Sequence, residues 1–146
     1  MLKSRLLGLT IVALGTWGLG TAMTTTTAQA AKWHAGTPKV LRGTYAMHKK
    51  DALGQKPNLK FTATKLTLQL NPPTVADHLS KVSYRKINAH TYYLKGHYLS
   101  SGVLYVKAIY NPKAQQKRLK IQEGFLDGQH IKWSPKHAMG WFYQKL

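Results

Sequence analysis

From residue 41 onward, apolar and polar residues alternate with a period of two, in short runs separated by Gly, Pro, Asn and Asp. Successive side chains of a strand point to opposite faces, so this spacing predicts β-structure rather than helix. The clearest case is residues 91–110. Two runs rich in Tyr, Val, Leu and Ile flank Ser100-Ser101-Gly102, where small residues let the chain reverse, and the segment reads as a β-hairpin. In its second arm Leu104, Val106, Ala108 and Tyr110 share one face while Val103, Tyr105 and Ile109 share the other. Apolar residues on both faces predict a strand covered on both sides, at the centre of an antiparallel sheet.

The same pattern divides the rest of the chain. Residues 41–48 read as the first strand and 49–58, with Gly54 and Pro57, as a loop. Residues 60–70 read as one strand in which Phe61 and Ala63 have one parity and Leu66, Leu68 and Leu70 the other, so a bulge is expected near Thr64 or Lys65. Asn71-Pro72-Pro73 ends that strand. Residues 74–80 then suit one helical turn, with Thr74 as N-cap and Asp77 early in the turn, or a loop. Residues 81–87 form a strand with Val82 and Tyr84 inward, and 111–117 a basic loop. Asp127-Gly128 fits a two-residue type I′ turn joining residues 117–126 to 129–134, and Met139, Trp141 and Tyr143 pattern the last strand. About eight strands with short connections predict an all-β fold: a single antiparallel up-and-down barrel or strongly curved meander, with a two-layer β-sandwich as the alternative. Closure removes the exposed edges that make a long meander aggregate.

Residues 1–30 read as an address rather than as part of this fold. Lys3 and Arg5 precede an almost uncharged apolar stretch over residues 6–23, and Ala28-Gln29-Ala30 supplies small residues at a signal-peptidase site. A signal-peptide helix cleaved after Ala30 is expected, with an uncleaved anchor as the competing reading, since about 18 residues can just span a bilayer. The chain has no cysteine, so an exported domain would carry neither a lipidated cysteine nor a disulfide. Cleavage would reduce 146 residues to one domain of 116, residues 31–146, and the formal charge from +18 to +16 as Lys3 and Arg5 leave. The expected location is secreted, extracellular or held noncovalently at the cell surface.

At Gly43-Thr44-Tyr45 the chain resembles the first strand of calycin barrels (lipocalins, fatty-acid-binding proteins, avidin), with Tyr45 in place of the family's Trp. That resemblance implies a closed barrel with a ligand pocket. The layout as a whole, with a leader followed by a cysteine-free domain rich in lysine and tyrosine that opens Trp33-His34-Ala35-Gly36-Thr37-Pro38-Lys39, is similar to small secreted proteins of lactic acid bacteria. It implies no particular chemistry.

Reactive constellations are scarce. Only four acids are present, Asp51, Asp77, Glu123 and Asp127, and the first two and the last fall in predicted loops or turns. Glu123 has the parity of Leu119, Ile121 and Phe125 and is the possible inward polar site, satisfied there by a tyrosine hydroxyl or a lysine. The seven histidines lack ligand spacing, and no nucleophile motif or phosphate loop occurs, so neither metal, cofactor nor catalytic residues are expected. Unperturbed imidazoles titrate near pH ~6.5, so acidification would raise the positive charge further. Tyr84, Tyr92, Tyr93, Tyr98, Tyr105, Tyr110, Trp133, Trp141 and Tyr143 are interleaved with lysine and suit either a barrel core or a stacking platform. The expected function is that of a noncatalytic basic domain associating with anionic cell-wall polymers or acidic lipid headgroups through Lys49, Lys50, Lys113, Lys117, Lys120 and Lys136. No specific protein partner is implied, and nonspecific nucleic acid binding is expected in vitro. The alternatives are a lipocalin-like carrier of a small apolar ligand, its cavity lined by Leu66, Leu68, Tyr92, Val106 and Trp141, and an extracellular enzyme built around Glu123.

Overall fold

The computed structural model describes residues 32–70, 76–99, 102–113, 115–135 and 140–146. Ten strands form: β1 His34–Ala35, β2 Gly43–Met47, β3 Asn58–Phe61, β4 Leu66–Gln69, β5 Asp77–Lys86, β6 Thr91–Tyr98, β7 Gly102–Asn111, β8 Arg118–Asp127, β9 His130–Trp133 and β10 Phe142–Gln144. All pairings are antiparallel, and eight strands close in the ring β2-β3-β4-β5-β6-β7-β8-β10. The fold is an up-and-down barrel. Two strands lie outside the ring: β1 on the edge of β5, and β9 on the far half of β8. A 3₁₀ turn at Lys39–Leu41 precedes β2 and buries Leu41.

Inside, Tyr45, Leu59, Phe61, Leu66, Leu68, Leu79, Leu94, Val106, Leu119, Ile121 and Phe142 form one buried cluster. Most come from alternate positions, as the pleat requires. Because neighbouring strands run in opposite directions, the barrel has two distinct ends. One, the mouth, gathers the loop 48–57, the start of β5, the β6–β7 connection and the β8–β9 hairpin. The other, the base, gathers the turn 62–65, the β5–β6 turn, the loop 112–117 and the chain's last residues.

Several local expectations are corrected. Residues 60–70 are two strands rather than one bulged strand: Thr62 accepts and donates hydrogen bonds with Lys65 across a tight turn, and Phe61 pairs with Leu66. The parity change marked a reversal of direction, since a turn resets the inward set as effectively as an inserted residue does. A register shift does occur, between Ser80 and Ser83 of β5, where Lys81 has φ of 48°. It brings Leu79 and Val82 to the same side. Asp77 to Ser80 are strand, not helical turn, and Thr74 lies outside the described residues. The strand expected over residues 41–48 is β2 and begins at Gly43, because Leu41 is in the 3₁₀ turn, and the short β1 precedes it.

The β8–β9 hairpin turns at Gly128-Gln129, one residue later than expected, since Asp127 pairs with His130. Gly128 has φ of 62° as the first turn residue, and Gln129 is not among the positive-φ residues, which suits type II′ rather than I′. The strand 129–134 is outside the ring, and the eighth barrel strand comes from splitting 60–70. In the β6–β7 hairpin Tyr98 pairs with Gly102, and Ser100 and Ser101 lie outside the described residues. The second face of β7 is not covered: Val103 is 47% and Ile109 37% exposed. On β10 it is Phe142 that turns inward, placing Trp141 and Tyr143 on the outside.

Candidate functional site

The outward row of β6 carries Tyr93, Lys95 and His97, and that of β7 carries Val103, Tyr105, Lys107 and Ile109. Register sets these side by side with Arg85 of β5 and Gln122 of β8, because Arg85 pairs with Tyr93, Tyr93 with Lys107 and Lys107 with Gln122. Cations and rings interlock on this wall. The Arg85 guanidinium lies 5.1 Å from the centre of the Trp33 ring and 5.3 Å from that of Tyr93, and the Lys95 ammonium lies 4.4 Å from Trp33. Trp33 meets Tyr105 edge-on at 6.4 Å, and Tyr93 meets Trp133 at 4.8 Å. Such contacts are each worth about 0.5–1 kcal/mol at exposed sites. Trp133 reaches the wall because Gly124 leaves room: a Cβ there would stand 2.6 Å from the Trp133 ring. Next to this cluster, a recess of about 200 Å³ opens beside the β5 irregularity, lined by Lys81, Ser83, Lys95, His97, Val103 and Tyr105.

A second cluster surrounds Trp141, which lies between the start of β8 and the end of β2. Trp141 has Arg118 at 4.5 Å and Lys120 at 4.9 Å from its ring centre, and it lines a recess of about 290 Å³ with His90, Ile109, Asn111, Pro112 and Lys113. Beyond it His48 stacks on Tyr143 at 3.8 Å.

The acids are placed very differently. Asp51 is in the loop 48–57, where its carboxylate accepts the backbone N–H groups of Leu53 and Gln55. Asp127 is at the β8–β9 hairpin tip, 3.6 Å from Lys132. Asp77 opens β5 and accepts a 3.0 Å hydrogen bond from the Tyr98 hydroxyl. Glu123 takes the inward row of β8 with Leu119 and Ile121 and is half-buried. Its charge also reaches Tyr98, whose pKa is raised first by the hydrogen bond to Asp77, then by the Asp77 charge, by burial and by Glu123. Three of the acids therefore lie at the mouth and Glu123 midway along β8, and Asp77 and Glu123 both act on Tyr98. The outward wall of β5–β8 and the base carry none.

Of the lysines expected to contact a polyanion, Lys113 and Lys117 lie in the loop before β8 and Lys120 near the start of β8. Lys49 and Lys50 follow His48, whose ring stacks on Tyr143, the strand partner of Arg118. Lys136 lies outside the described residues. What the sequence reading missed is the part played by Trp33, Arg85, Lys95, Lys107 and Arg118. The signal was there in the matched parity of Tyr93, Lys95 and His97 with Tyr105 and Lys107, but it was read as the covered side of a buried strand. Of the residues expected to line an internal cavity, Leu66, Leu68, Tyr92 and Val106 are in the core and Trp141 is outside. Among the described residues no group of three or more His, Asp or Glu is placed to hold a metal ion.

Comparison of the chain with protein-family models, curated proteins and solved structures returns no match.

Proposed function

We propose that the protein is a secreted, noncatalytic basic domain that associates electrostatically with anionic cell-envelope polymers or acidic lipid surfaces. The observation that supports this is the placement of charge: in a chain of formal charge +18, Glu123 takes the inward row and Asp51, Asp77 and Asp127 lie at strand ends or in loops, so the outward rows of β5–β8 carry Arg85, Lys95, Lys107, Arg118 and Lys120 and no carboxylate. Concentrated like charge costs self-repulsion, and a polyanion relieves it while gaining the field of the whole wall over about 8 Å at physiological salt. Lysine suits diffuse attraction, and the rings hold Arg85, Lys95, Arg118 and Lys120 in place without neutralising them. The apolar-carrier alternative has less support, because its lining residues Leu66, Leu68 and Val106 are in the packed core.

Co-sedimentation with purified cell walls and with anionic vesicles tests the reading. Binding should weaken steeply as salt rises and should be lost from walls stripped of phosphate polymers. Binding that survives molar salt, or that persists on stripped walls, contradicts it.

A further inference from the structure

We infer that the recess beside Trp141 is a discrete site for one phosphodiester unit bearing a compact polyol; this rests on the polyanion reading above and specifies the unit recognised. To line the same recess as Ile109 and Asn111 of β7, Trp141 at the start of β10 must reach across β8, over Arg118 and Lys120. Register puts these two cations beside the recess wall, since Arg118 pairs with Asn111 and Lys120 with Ile109. A third cation comes from the loop: the Lys113 N–H donates to Asn111 Oδ1 at 3.0 Å, which fixes the start of the loop that sets Lys113 at the rim. The Arg118 Nε is buried and has no hydrogen-bond partner among the described residues.

Lys113 lines the recess itself, and Arg118 and Lys120 lie behind its Trp141 wall, with no carboxylate in the lining. The acid on the same strand, Glu123, takes the inward row, and none of Asp51, Asp77 and Asp127 lines the recess. An anion is the ligand that lowers the repulsion, and an arginine held against a ring offers a preorganised fork for phosphate oxygens. Ile109, Pro112 and the Trp141 ring give the lining an apolar part that suits the carbon skeleton of an ester rather than a bare ion, and His90, Tyr110 and Asn111 supply polar groups beside it. At about 290 Å³ the space is at the small end of ligand pockets, so it takes one unit and not a length of polymer. Stacked bases are disfavoured because Trp141 already carries two cations within 5 Å of its ring centre.

Binding of the purified protein to poly(glycerol phosphate), to vesicles containing phosphatidylglycerol, to inorganic polyphosphate and to a single-stranded oligonucleotide tests this, with circular dichroism to verify folding of each variant. Trp141→Ala, which leaves the charge unchanged, should weaken binding to poly(glycerol phosphate) or to the vesicles about tenfold and leave polyphosphate binding within about twofold. Lys113→Ala should weaken it more than Lys60→Ala, an equal charge loss on the exposed face of β3. An effect in the polymer arm or in the vesicle arm identifies the source of the phosphodiester, and either supports the site. If Trp141→Ala and Lys113→Ala behave like Lys60→Ala in both arms, or if the oligonucleotide binds tightest and loses most with Trp141→Ala, the inference is overturned. The polyanion reading survives both results, and it fails separately if the unmodified protein binds none of these probes in a salt-sensitive way.

Discussion

Tyr92 and Tyr93 are adjacent in the chain and face opposite sides of β6, and the same side chain does different work on each side. Tyr92 is buried beside Tyr84 and Tyr110, and its pKa is raised first by that burial and then by those two phenols. Tyr93 lies under Arg85 and against Trp133, using its ring face to hold a cation. Trp141 and Phe142 repeat the division on β10: Phe142 is fully buried, and Trp141 lies outside over Arg118 and Lys120. The inner ring is worth the water it excludes. The outer ring is worth the geometry it imposes on charge, a smaller energy but a more specific one.

The sharpest way to break this distinction is to truncate both residues of the β10 pair. Phe142→Ala should cost about 3–5 kcal/mol in denaturant unfolding, because it empties a fully buried site on the three-residue strand that closes the barrel between β2 and β8. Trp141→Ala should cost under about 1 kcal/mol. Equal losses would mean that the wall belongs to the core. Glycines give a second pair. Gly96→Ala should cost about 1–3 kcal/mol, since its Cβ would stand 2.8 Å from Leu79 Cβ and 3.1 Å from the Ser80 carbonyl. Gly124→Ala would meet side chains only among its nearest neighbours, the Trp133 ring and Ile131 Cγ2 at 3.0 Å, and the ring can swing away, so its main effect should be a changed tryptophan emission as Trp133 leaves Tyr93.

Alkaline pH acts on the inner set. The Tyr45 phenol is pushed up to about 12, first by burial and then by Tyr110. The folded state therefore holds this proton more tightly than the unfolded state does. Its contribution is fully present below about pH 10 and is lost as pH rises toward the folded value, by about 1.4 kcal/mol per unit within that window. Unfolding measured at intervals from pH 9 to 12 should show this decline, and Tyr45→Phe should flatten part of it. The smallest expected effect has the opposite sign. At neutral pH Tyr45→Phe should leave stability unchanged or raise it by up to about 1 kcal/mol, because the hydroxyl is buried with no hydrogen-bond partner among the described residues. A loss of stability at neutral pH would mean that the hydroxyl is satisfied after all.

The period-two alternation made the strands and their antiparallel order legible, and the inward set of β7 could be read directly from Leu104, Val106, Ala108 and Tyr110. The inward placement of Glu123 was also legible from its parity, but Asp77 as its companion at Tyr98 was not, because residues 74–80 lack an apolar alternation that would mark a strand. The turn at residues 62–65 was hidden for a related reason: Thr and Ala carry no turn signature, and a change of parity looks the same for a bulge as for a reversal. The surface cluster at Trp141 was the least legible part. It joins β7, β8 and β10 with the loop 112–117, and the Arg85 cluster joins β1, β5, β6 and β9.

The chain by itself determined an all-β antiparallel domain with a large positive charge and few acids, because alternation and composition are local properties that each segment carries wherever it goes. Tertiary structure alone decided that the outward rows of β5–β8 are left without a carboxylate and that rings from distant strands clasp the cations of the wall. Closure of the sheet sets which strands become neighbours and how they are staggered, and that stagger is a property of the ring as a whole.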